Sequence, residues 1–166
     1  MHVLLAAIII LAMQNAVADQ QSVITNQQCV PTVGVVYRSL PNASQEQVRI
    51  FLSAFGSSEC DNNVEFGEFG NEVMWHLIEK QPELFFSELF LANASALKRI
   101  SWEIENPIHD GINVIRRYNA VKDAKLSPEL EKRALTLLRP ARDAEEKKIR
   151  EWEIKNNLKW EYPKSD

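Results

Sequence analysis

The stretch Pro82-Glu83-Leu84-Phe85-Phe86-Ser87-Glu88-Leu89-Phe90-Leu91 constrains this chain more than any other. Wound as a helix at about 3.6 residues per turn, its large apolar side chains point in nearly every direction. A short helix without a solvent face is stable only when neighbours cover it on several sides, so the segments before and after it are its expected packing partners. Phe85, Phe86, Leu89 and Phe90 are therefore predicted to be nearly inaccessible.

Those neighbours are legible in the pattern. Ser44-Gln45-Glu46-Gln47 forms a capping box, Val48, Phe51, Leu52 and Phe55 follow at helical spacing, and Gly56 closes that helix. After turn chemistry from Gly56 to Asn63 comes a helix beginning at Val64 or Glu68 and reaching Lys80. Phe66, Phe69, Val73 and Leu77 share one of its faces, with Met74 and Ile78 beside them, while Gly67 and Gly70 weaken its first turns. Pro82 then opens the central apolar helix, with Glu83 at the positive dipole end. Leu97, Ile100 and Ile104 mark the next helix, ended before Pro107, and Ile108, Ile112, Ile115, Tyr118 and Val121 mark another. Ser127-Pro128-Glu129 opens a further one carrying Leu130, Ala134, Leu137, Leu138 and Ala141. Pro140 kinks this last helix or starts a new one. Connections of about two to six residues imply antiparallel neighbours.

The two ends of the chain read differently. Val3 to Met13 is an apolar run followed by Ala16-Val17-Ala18, the small-x-small pattern a signal peptidase reads, so residues 1–18 are expected to be a cleaved signal with a mature start at Asp19. The run is shorter than the roughly 20 apolar residues of a membrane span. Residues 19–41 read as a polar arm with one β-like run, Val33-Gly34-Val35-Val36-Tyr37. Export would place Cys29 and Cys60 where a disulfide persists, and pairing them would staple the arm to the loop after the first helix. A redox role would want Cys-x-x-Cys spacing or a basic neighbour, and neither is present. Residues 42–140 form the expected helical core domain and residues 141–166 a charged C-terminal helix and tail. Within that tail Ile149 and Trp152 share one face, Ile154 and Leu158 another. It reads as a solvated helix with a thin packing stripe, or as an arm that docks on a partner through Trp152 and Trp160.

Pro82-Glu83-Leu84 and Pro128-Glu129-Leu130 both begin helices, at an offset that falls within the period of roughly 40 to 47 residues of HEAT and armadillo α-hairpin repeats. Over about residues 64–140 the chain resembles those repeats. The resemblance implies a short α-solenoid whose concave side binds a protein. The fold class expected is thus all-α, a stack of antiparallel α-hairpins, short-solenoid-like or an irregular bundle, with a disulfide-pinned N-terminal arm.

Candidate chemistry is sparse. Glu65, Glu68, Glu72, His76 and Glu79 run along one side of a helix, opposite its apolar stripe. His76 with Glu72 and Glu79 has the spacing to present ligands to Zn²⁺ or an acid/base pair, whereas a solvated acidic face accounts for the same residues without any ligand. The other mature histidine, His109, stands beside Asp110 at a later helix start. No Gly-x-Ser-x-Gly, P-loop, His-Glu-x-x-His or Gly-x-Gly-x-x-Gly occurs, and no cofactor is implied. Asn42-Ala43-Ser44 and Asn93-Ala94-Ser95 match the glycosylation acceptor at positions where Asn and Ser also serve as helix caps. Trp75 and Trp102 lie off the main stripes of their helices, where an aromatic residue serves as core or, with Trp152, as a partner contact.

Nineteen Lys plus Arg against 23 Asp plus Glu give a formal charge of -4, which disfavours non-specific attraction to nucleic acid or anionic lipid and makes a basic partner the easier one. These features lead to a periplasmic or secreted, non-enzymatic helical module that binds another protein, as an inhibitor or immunity protein does. The competing expectations are a metal-binding protein or metal-dependent enzyme built on His76, and a structural envelope protein assembled through its charged C-terminal helix.

Overall fold

Side-chain caps set most helix starts in the computed structural model, which describes residues 24–108 and 111–161. The expected signal, His109 with Asp110, and the tail from Tyr162 lie outside the described residues. Among the described residues there are seven helices and no strand: α1 (Asn26–Ser39), α2 (Gln45–Phe55), α3 (Val64–Lys80), α4 (Pro82–Leu89), α5 (Ala94–Glu105), α6 (Val114–Asp123) and α7 (Pro128–Asn156), with a 3₁₀ turn at Ser58–Cys60. Ser44 Oγ accepts from the Gln47 amide at 3.3 Å while Gln47 Oε1 accepts from the Ser44 amide at 2.7 Å, the reciprocal box expected there. Asn63, Asn93 and Asn113 accept from amides three residues on at 2.9, 2.8 and 2.7 Å, and so fix the starts of α3, α5 and α6.

The Val33–Tyr37 run, expected as extended, is helical instead. Tertiary packing overrides β propensity here: Cys29, Val33 and Val36 fall at i, i+4 and i+7 and are all fully buried, which a strand would place on two opposite faces. Pro31 sits exposed near the start of α1, where its missing amide removes only one helical bond. The disulfide between Cys29 and Cys60 is present, so the expected arm is a packed helix pinned to the 3₁₀ turn. The α6 helix begins later than the isoleucine spacing suggests, at Val114, leaving Ile108 exposed and Ile112 buried ahead of it. The α7 helix runs unbroken through Pro140, whose ring is exposed. The carbonyl of Thr136 that loses its donor also lies on an exposed residue, where water can bond it.

The packing has a doubled arrangement. In the first unit α2 and α3 each pack on α4, and in the second α5 and α6 each pack on α7. The units then meet helix against corresponding helix, α2 on α5, α3 on α6 and α4 on α7. The recurrent Pro-Glu-Leu thus opens the third helix of each unit, and α1 covers the first unit by packing on α2 and α3.

The central helix behaves largely as its composition dictates. Phe85, Phe86 and Leu89 are wholly buried, whereas Phe90 is half-buried beneath the Arg133 guanidinium and Leu91 projects into solvent past the helix end. Gln81, the residue between α3 and α4, exchanges two hydrogen bonds with the backbone of Ala43, at 2.9 and 3.0 Å, and so fixes where α4 begins relative to α2. Buried Glu88 on α4 accepts from Arg49 Nε at 3.2 Å and from Gln45.

At the seam between units, Gly56 ends α2 with φ −89°, an ordinary right-handed conformation. Its glycine is required by space: a Cβ there would lie 2.7 Å from Oδ1 and 2.9 Å from Nδ2 of Asn93, the cap of α5. Two polar ties reinforce the seam. Buried Asn71 on α3 donates to Glu103 Oε2 on α5 at 2.8 Å, and Arg99, which holds the other Glu103 oxygen within α5 at 2.7 Å, reaches Asp61 in the turn before α3 at 3.2 Å.

Candidate functional site

The glutamates singled out on α3 divide between two roles. Glu65, Glu68 and Glu72 face solvent, and Glu72 lies 3.7 Å from His76. Glu79, with its side chain only 9% exposed, turns instead toward α6: its Oε1 meets Arg116 at 2.6 Å and Lys80 at 3.1 Å, and its Oε2 lies 3.7 Å from Arg117. The structure therefore does not bring Glu79 to His76 and Glu72, and no group of three or more His, Cys, Asp or Glu suited to hold a metal occurs among the described residues.

Electrostatics follows from that geometry. Burial alone would raise the Glu79 carboxyl, but hydrogen bonds from Arg116 and then Lys80, with the charges of Arg116 and Arg117, outweigh it and hold the group below its ordinary value. Burial pushes the Arg117 guanidinium down, opposed by Glu79, deepened by the like charge of Arg116 and opposed again by Glu145. This cluster ties the two units together between α3 and α6.

The tryptophans also separate. Trp75 is 0% exposed and belongs to the core, on a helix that α1, α4 and α6 cover except along the side that carries Glu65, Glu68 and Glu72. Trp102 is 53% exposed on α5. Trp152, 36% exposed, stands in the distal half of α7, where no residue after Ala141 is buried. There the chain turns back through Asn157 in the left-handed conformation, the Trp160 amide donates to Glu153 Oε1 at 3.0 Å, and the Trp160 ring packs edge-on against Trp152 with centroids 5.0 Å apart.

This hook closes one side of a groove of about 610 Å³, a size typical of ligand and peptide clefts. Its apolar lining comes from Ile112, Val114, Ala141, Ile149, Trp152 and Trp160. Three charges stand along it. Glu145 Oε2 accepts from the Val114 amide at 2.9 Å and anchors the start of α6, while Glu105 and Lys148 form no ion pair among the described residues. Every lining residue belongs to the second unit or its connections, so the groove opens on the end of the stack that α1 does not cover.

Sequence reasoning found Trp152, Trp160 and Ile149 but missed the opposite wall, because Glu105, Pro107, Ile112 and Val114 come near α7 only through the α5–α7 and α6–α7 packing. The isoleucine spacing runs on without a break from Ile108 to Ile115 and so concealed that Ile112 stands before the helix begins, where it lines the groove. Compared with family models, with curated proteins and with solved structures, the chain matches none.

Proposed function

We propose that this chain is an exported, non-catalytic helical module that acts by binding another polypeptide, in the manner of an inhibitor or immunity protein, and that its binding face is the groove along the distal half of α7. The observation that carries the reading is the exposed Trp152–Trp160 pair over an apolar floor, on a helix segment that buries none of its own residues. Aromatic anchors at the centre of an apolar patch with charges at its rim are the usual energetic core of a protein interface. The buried disulfide supports export, and no helix among the described residues is long and apolar enough to cross a membrane. The side chains whose ionisation the fold displaces, Glu79 and Arg117, are committed to ion pairs between α3 and α6.

The test is affinity capture from the extracellular or periplasmic fraction of the source with wild type and Trp152→Ala in parallel. A stoichiometric protein retained by wild type and lost with the variant is the expected result. Equal recovery on both, or no partner on either, would overturn the assignment of the groove.

A further inference from the structure

The stack has one covered end and one open end, and the open end presents a helix face whose chemistry complements itself. The α7 residues that line the groove are Ala141, Ala144, Glu145, Lys148, Ile149 and Trp152. Any face at helical spacing maps onto itself when two copies of the helix run antiparallel, so the spacing alone says nothing. The side chains do. With the two helices crossing between Glu146 and Lys147, Glu145 of one copy stands opposite Lys148 of the other, and each pair occurs twice. Small Ala144 stands opposite larger Ile149, and Ala141, on the groove floor beside Ile112 and Val114, stands opposite Trp152. Opposite charges and small-against-large contacts are the two features that make a two-fold interface self-complementary.

We propose that the first occupant of this groove is a second copy of the same chain, paired antiparallel through α7 about a two-fold axis. The proposal rests on the reading of the groove as a protein-binding face and names the partner. Each copy inserts Trp152 over Ala141 of the other, and the Glu145–Lys148 pairs fix the register. Glu145 also accepts from the Val114 amide at 2.9 Å, so the residue that pairs with Lys148 of the other copy is held in place by the start of α6. Self-pairing also explains why α7 continues as a helix from Arg142 to Asn156 without a buried residue: the second copy supplies the cover that α1 supplies at the other end.

The experiment is sedimentation velocity on the full mature chain over a wide concentration range, with circular dichroism melts to show that each variant is folded. Wild type should pass from monomer to dimer as concentration rises. Lys148→Glu, at an exposed position, places two carboxylates opposite each other in both pairs and should weaken the dimer by at least tenfold, and Trp152→Ala should do the same. Glu145→Lys alone should also be monomeric, yet mixing it with Lys148→Glu should restore a mixed dimer, because each pair then regains opposite charges. A wild type that stays monomeric at every concentration overturns self-pairing, and so does a dimer indifferent to Trp152→Ala and Lys148→Glu. If the wild type is monomeric but still captures a foreign protein through Trp152, the binding-face reading stands and only self-pairing falls.

Discussion

The two ends of the stack are built from similar helices and finished in opposite ways. At the amino end α1 lays Cys29, Val33 and Val36 on the first unit and is fastened by a disulfide to the 3₁₀ turn, so that its apolar stripe is spent on the fold. At the carboxyl end α7 runs past the second unit with Ile149 and Trp152 on the groove side, Ile154 82% exposed, and nothing after Ala141 buried. Covered apolar surface holds a fold together, whereas uncovered apolar surface at the same architectural position is available for association. Substitutions should therefore cost stability at the covered surfaces and association at the open one.

The largest loss is expected in the closed interior. Phe86→Ala on α4 should lower the unfolding free energy by about 3 to 5 kcal/mol in chemical denaturation, since the ring is wholly buried. Next comes the fastened end. Replacing Cys29 and Cys60 by Ala, which reopens a span of 31 residues, should cost on the order of 3 kcal/mol in the chain-entropy account. The same double variant should raise hydrogen exchange in α1 well before that in α5.

The tie between units is weaker and depends on pH. Glu79→Gln should cost roughly 1 to 3 kcal/mol at neutral pH by removing the charge that Arg116 and Lys80 meet. Because the folded Glu79 carboxyl is held below its ordinary value, its contribution is complete above the ordinary carboxylate range and disappears as pH falls through the folded value. Wild type should lose more stability on acidification than Glu79→Gln. Parallel acid curves for the two proteins would show that the α3–α6 contact does not depend on this charge.

The smallest stability effect belongs to the open end. Trp152→Ala should change the melting free energy by roughly 1 kcal/mol or less, the worth of one aromatic contact with Trp160, although it should weaken association through the groove by at least tenfold. A large destabilisation would reveal that the distal half of α7 is part of the core and would dissolve the contrast between the ends.

What the sequence disclosed follows the same division. Helices α2 to α7 are legible because local caps and 3.6-residue stripes are short-range signals, and Ser44, Asn93 and Pro82 stand where the chemistry of helix starts requires. Helix α1 is hidden because the Val33-Gly34-Val35-Val36-Tyr37 run argues locally for an extended chain, while the stripe of Cys29, Val33 and Val36 becomes decisive only when α2 and α3 lie beneath it. The roles of Glu79 and Trp75 were illegible for another reason. Glu79 finds Arg116 at a separation of 37 residues, and Trp75 lies on a second face of α3 that only the packing of three helices fills. Half of the groove was readable from Trp152 and Trp160. The other half exists only where the α5–α6 connection comes back against α7.

The approach of Gly56 to Asn93 has a practical consequence for making the protein. Two of the acceptor tripeptides that a eukaryotic secretory host recognises are present, at Asn42 and Asn93. Asn42 is exposed, so a sugar there would extend into solvent, but the Asn93 amide nitrogen faces Gly56, which has no side chain. A glycan attached to Asn93 during synthesis would wedge the units apart, so secreted yield from such a host should fall as occupancy of that position rises. Asn93→Asp keeps an oxygen to cap α5 and abolishes the acceptor, which makes it the form of the chain to produce in yeast or animal cells.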